Sequence, residues 1–143
     1  MWWHGGGGWV VAVVLSFAGL AAAGDTSRVK KPHLELRASP RVAFFPVEIV
    51  AIGEVTGGHD TEDFYCPLLE WDWGDGSRSA RESDCAPFVD GAAVDRLYSA
   101  RHAFRAPGLY TVRLTLRRAG RAVAMASAAV AVRGQGAVDL DEP

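Results

Sequence analysis

No aspartate, glutamate, lysine or arginine occurs before Asp25 in this chain of 143 residues. Behind an apolar run from Trp9 to Leu20 stands Ala21-Ala22-Ala23, and together these read as a secretory signal over residues 1–23. The run is about a dozen residues, short of the roughly 20 that a comfortable membrane span needs. The usual basic start is also missing: MWWHGGGG offers only its α-amine and His4. A retained N-terminal anchor is therefore the competing reading. No cysteine stands directly after the alanine triplet, where Gly24 follows, which argues against a lipid-anchored lipoprotein.

Other absences narrow the function classes. Neither sign of charge is in excess: 15 basic and 17 acidic residues leave a formal charge of −2, so nothing points to nucleic acid or to an anionic membrane as partner. There are only two cysteines, Cys66 and Cys85, and no CxxC or HxxxH spacing accompanies them, which disfavours a zinc site. In an oxidising compartment such a pair reads as one disulfide, with two free thiols as the alternative. No GxSxG elbow marks a nucleophile and no DxDxDG loop marks a calcium site. No internal repeat is present, and no convincing amphipathic helix follows residue 24.

What remains after the signal is about 120 residues, enough for one domain. Residues 24–32 read as a short linker, residues 33–133 as the domain, and residues 134–143, Gly-rich and then acidic, as a disordered tail. Within the domain, short runs alternate in strand fashion. They are His33 to Ala38, Val42 to Ile52, Leu69 to Trp73, Leu97 to Phe104, Tyr110 to Arg117 and Ala122 to Val132. Phe45, Val47, Ile49 and Ala51 share one face of the second run, where Pro46 suggests an edge or early position. Phe44 and Phe45 are neighbours, so only one of them faces a core. Gly53 to Asp63 and Ser77 to Val94 read as loops, and Ala119-Gly120 as a hairpin turn. About seven strands between turn signals predict an all-β sandwich.

Two blocks carry the most information: Trp71-Asp72-Trp73-Gly74-Asp75-Gly76, and His102-Ala103-Phe104 followed by Pro107-Gly108-Leu109-Tyr110. Trp71 and Trp73 point the same way and are expected in the core. Asp72 and Asp75 can accept the N–H groups that a tight turn leaves open, while Gly74 and Gly76 permit positive φ. Tyr110, opening a strand after Pro-Gly, sits like the tyrosine of a tyrosine corner. Together the blocks resemble the PKD (polycystic kidney disease) domain, an immunoglobulin-like β-sandwich of extracellular proteins, over roughly His33 to Arg133. The resemblance implies that His102 hydrogen-bonds near the Gly-Asp-Gly turn. The chain departs from the family pattern between Gly76 and His102, which lie further apart than usual. Ser77 to Val94 thus looks like an insertion, and a Cys66–Cys85 bridge would pin it to the start of the tryptophan strand.

The resemblance further implies a non-catalytic module that contacts protein or polysaccharide of the cell envelope, exported as a secreted or periplasmic protein without cofactor. No nucleic acid, and no membrane after signal cleavage, is expected as partner. Some members of the family bind calcium at one end, and Asp60, Glu62, Asp63 and Asp84 are the oxygen donors here, against the plainer reading of solvated acidic loops. A calcium-stabilised spacer is therefore the alternative function. A small hydrolase using Asp72, Asp75 and His102 is the reading that the residues favour least. Phe64, Tyr65 and Phe88 are the candidate carbohydrate contacts, against packing beneath the bridged loops.

Overall fold

The computed structural model describes Gly5 and residues 31–135. All of the expected signal but Gly5, most of the linker and most of the acidic tail lie outside the described residues. Eight strands and one short 3₁₀ turn, Glu62–Phe64, make up the described domain. The strands are β1 (His33–Ser39), β2 (Val42–Phe44), β3 (Val47–Thr56), β4 (Leu68–Asp72), β5 (Arg78–Arg81), β6 (Leu97–Phe104), β7 (Gly108–Arg118) and β8 (Arg121–Arg133).

They form two sheets, ordered β1-β3-β6 and β2-β8-β7-β4-β5. Both sheets are antiparallel except where β2 runs parallel to β8. In immunoglobulin terms β1, β3 and β6 are A, B and E, while β4, β7 and β8 are C, F and G. The domain is an immunoglobulin-like β-sandwich. Alternation explains the packing: Ile49, Ala51 and Val55 face inward from β3, and Val112, Leu114 and Leu116 from β7 meet them. Phe45 packs partly against this core, whereas Phe44 stays exposed.

Three expectations need correction. The run Val42 to Ile52 is two strands, because Pro46 has no N–H to continue a ladder; there the chain crosses from the larger sheet to the smaller. The loop expected from Gly53 begins later, since β3 continues to Thr56, paired with His33 on one side and, through Glu54, with Leu97 on the other. Gly53 is not a breaker here. A Cβ on it would lie 2.4 Å from Leu114 Cδ2, so the residue marks a close approach of the two sheets. Finally, the segment read as an irregular loop contains β5, a short edge strand whose four residues are all exposed. A strand without a buried face has no alternation to reveal it.

Each sandwich end gathers a distinct set of loops. One end carries residues 57–67, 82–96 and the β7–β8 turn at Ala119-Gly120, where φ is positive at both residues as a tight hairpin requires. The other carries residues 39–46, with β2 among them, the Gly-Asp-Gly turn over residues 73–77, and residues 105–107 and 134–135.

Candidate functional site

The Gly-Asp-Gly turn is tied by its two carboxylates. Asp72 Oδ1 accepts the Gly74 N–H at 3.0 Å, and Asp72 Oδ2 receives Arg78 Nε at 3.2 Å. Asp75 Oδ1 accepts the Ser77 N–H at 3.0 Å, and Asp75 Oδ2 meets His102 Nε2 at 2.7 Å. Gly74 sits at φ +80°, and a Cβ there would come 2.7 Å from the Thr111 carbonyl oxygen, so both conformation and space call for glycine. Gly76, at φ +90°, needs glycine for its conformation alone.

Inward from the turn, five rings form a column. Trp71 and Trp73, each 3% exposed, stack at 5.6 Å, and His102 stacks on the far face of this pair at 4.5 Å from Trp73. Phe104 meets His102 edge-on at 4.9 Å, and Tyr110 stacks on Phe104 at 4.1 Å. Trp73 Nε1 donates to Ser79 Oγ, and the Tyr110 hydroxyl donates to the Ala106 carbonyl at 2.7 Å. The last bond is the tyrosine-corner geometry. Gly108 lies beside the Tyr110 ring. Tyr110→Phe is expected to cost about 1 kcal/mol, the worth of one such bond, read as a lowered urea midpoint at unchanged slope.

The chemistry of this column is set by the order of its polar groups. Ser77 Oγ donates to Asp75, and Asp75 holds His102, so the carboxylate stands in the centre. A nucleophilic triad needs the imidazole in the centre. Burial pushes the Asp75 carboxyl up, but hydrogen bonds from the Ser77 hydroxyl, from His102 and from the Ser77 N–H outweigh it and hold the pKa at about 2. A depressed carboxylate stabilises the fold above its unfolded pKa of about 3.9, and that contribution is lost as pH falls toward 2. Urea melts between about pH 5 and pH 2 are therefore expected to show a loss of stability that is shallower in Asp75→Asn.

At the opposite end, Cys66 and Cys85 form the disulfide, separated by 19 residues. Phe64, a candidate contact, is 8% exposed and packs in the main core. Tyr65 and Phe88 meet edge-to-face at 5.3 Å, and the Tyr65 hydroxyl donates to the Ala86 carbonyl. The Arg118 guanidinium lies over the Tyr65 ring at 5.7 Å. Both rings are half-buried, and at 65° to each other they do not share one plane. Tyr98 also braces this loop, donating its hydroxyl to the Asp95 carbonyl at 2.6 Å; burial, with the nearby Asp95 charge, pushes its pKa up to about 12.

The calcium donors are not gathered. Asp60 pairs with Arg96 at 2.6 Å, Asp63 with Arg121 at 2.9 Å, and Glu62 with Arg118 at 3.5 Å. Asp84 is exposed and joins none of these pairs. Among the described residues no three His, Cys, Asp or Glu side chains come together as a metal-binding group. The arginines, spread along the sequence at Arg96, Arg118 and Arg121, are what the reading of this loop as a donor set overlooked.

Two surface features were not visible in the sequence. Residues 82–96 carry no regular strand or helix, yet a turn closes at their tip through the Ala92 N–H and the Val89 carbonyl at 2.9 Å, leaving Val89 65% exposed. On the outer face of the larger sheet, Val42, Ala131 and Leu109 stand in one row across β2, β8 and β7. Leu109 is 88% exposed. The alternation of β7 held the signal for it: with Tyr110 and Val112 facing inward, Leu109 must face out.

Among the described residues no helix is long and apolar enough to cross a membrane. No family model matches the chain, and no curated protein matches it. Among solved structures, the chain is similar to the CARDB domain of a Pyrococcus furiosus protein, crystallised in complex with di-metal ions. The likeness has 11% identity, covers 73% of this chain and 94% of that one, and has a TM-score of 0.45.

Proposed function

We propose that this chain is an exported, non-catalytic module of the PKD type that holds a protein or polysaccharide of the cell envelope through its bridged loop, Ser77 to Val94. The observation that carries this reading is the construction of the loop. Beyond β5 it is long and irregular, and nearly all of its residues are exposed; yet its root is fixed by the Cys66–Cys85 bridge and by Phe88 against Tyr65. A loop ordered before binding loses less entropy on binding, and loops on a rigid sandwich are where recognition resides. The Asp75–His102 pair supports the non-catalytic reading, because its bonds are spent on holding the turn. The disulfide supports an oxidising location.

The test is capture of envelope material by the exported protein, with and without protease treatment of that material. Loss after protease identifies a protein partner, and survival identifies polysaccharide. Under this reading, a loop variant such as Asp90→Arg is expected to reduce capture in either case while leaving the urea midpoint unchanged. Capture indifferent to loop substitutions would overturn it. Calcium at millimolar concentration is expected to leave the melting temperature unchanged, because the loop acids already have guanidinium partners.

A further inference from the structure

The geometry points to a second copy of this chain as a partner, docked head to tail: the loop tip at Val89 of one copy seats in the outer-face groove around Leu109 of the next. This rests on the reading of the bridged loop as a recognition element.

The groove is shallow, about 440 Å³, lies across β2, β8 and β7, and is floored by Ala129 and Ala131 between Val42 and Leu109. Small residues on the central strand and large ones on its neighbours make a trough for one apolar side chain. Its surroundings are basic. Residues 39–46, 105–109 and 133–135 contain Arg41, Arg105 and Arg133 and no acid, and among the described residues none of these three arginines is in an ion pair, while Asp72 and Asp75 of the neighbouring turn are already held by Arg78 and His102. A face-to-face dimer through this groove would set like charges together. An apolar knob flanked by carboxylates fits it instead.

The other end of the same molecule carries such a knob. Val89 projects from a β-turn whose Gly91 has φ +83°, and Asp90 stands beside it, with Asp84 and Asp95 on the same loop. None of these three acids is in an ion pair among the described residues. The disulfide fixes the root of the turn, so the knob is presented rather than formed on contact. Knob and groove lie at opposite ends of the sandwich, so the loop of one copy cannot reach its own groove. The contact is heterologous and leaves a free knob and a free groove at the two ends of every pair. One β-turn in one trough makes a small interface, of the transient class below roughly 1,200 Å².

The experiment is sedimentation of the exported protein from micromolar to millimolar concentration, at low and high salt. Association that rises with concentration and weakens with salt is expected. Leu109→Asp and Val89→Asp alter exposed side chains at the groove and at the knob, and each alone is expected to weaken association by about tenfold or more. Mixed, they restore one intact contact per pair, since the first variant keeps its knob and the second its groove. The mixture is therefore expected to give a discrete dimer that does not extend. Wild-type protein that stays monomeric throughout, or variants that associate as well as wild type, would overturn the inference. If the wild-type protein stays monomeric and Leu109→Asp abolishes capture of envelope material, the groove belongs to a foreign partner. A monomer that still captures envelope material through its loop overturns self-association alone and leaves the function proposed above standing.

Discussion

Trp73→Ala is expected to lose about 3–5 kcal/mol of stability, the cost of removing a large buried aromatic side chain. Domains of this kind have only about 5–15 kcal/mol in all, so the variant sits near the threshold of folding. The loss is expected at the upper end of that range because Trp73 is the middle of a stack. Its ring lies between Trp71 and His102, and without it the His102 ring loses its stacking partner and the Asp75–His102 bond its support, leaving Asp75 with the Ser77 bonds alone. Trp73→Phe keeps a ring in place and loses the donation to Ser79 Oγ, so it is expected to cost far less. Urea titrations of the two variants check this. Equal losses in both would mean that the hydrogen bond, and not the stack, is what the indole supplies.

Replacing both cysteines, Cys66→Ser with Cys85→Ser, is expected to cost about 3 kcal/mol on the chain-entropy account for a closed loop of about 20 residues. The fold is expected to survive, because Phe64 and Leu69 on the Cys66 side remain buried in the main core. What should change disproportionately is the loop. With Cys85 released, only Phe88 against Tyr65 and the Tyr65 bond to Ala86 hold its root. Amide hydrogen exchange is expected to accelerate in residues 82–96 well beyond what the global loss explains, while β7 and β8 slow or quicken only with overall stability. Uniform acceleration across the domain would show that the bridge steadies the whole sandwich rather than this end of it.

Much of the sandwich could be read directly from residue patterns. Period-2 alternation placed β1, β4, β6, β7 and β8, since each has one face in the core. The tryptophan pair and Tyr110 announced their burial because large rings at alternate positions have nowhere else to go. Gly53 misled because a glycine in a strand looks like a turn until the partner sheet is seen to press against it. β5 stayed hidden because Arg-Ser-Ala-Arg buries nothing. The surface was less legible for the same reason. Asp60, Glu62 and Asp63 look like a donor cluster in one dimension, yet each faces an arginine that sequence distance conceals. The Val42, Ala131 and Leu109 row joins three strands far apart in the chain, and only the register brings it together.

The parallel pairing of β2 with β8 has a mechanical consequence. The chain enters the sandwich at one end, before His33, and leaves it at the other, after Arg133. Tension applied through these two segments drags β2 and β8 in opposite directions along their common axis. The hydrogen bonds from Phe45 N to Arg133 O and from Ala131 N to Arg41 O are then loaded in shear and together, not peeled one after another. A sandwich wired in this way resists stretching as a single clasp, which opens only when those bonds fail at once.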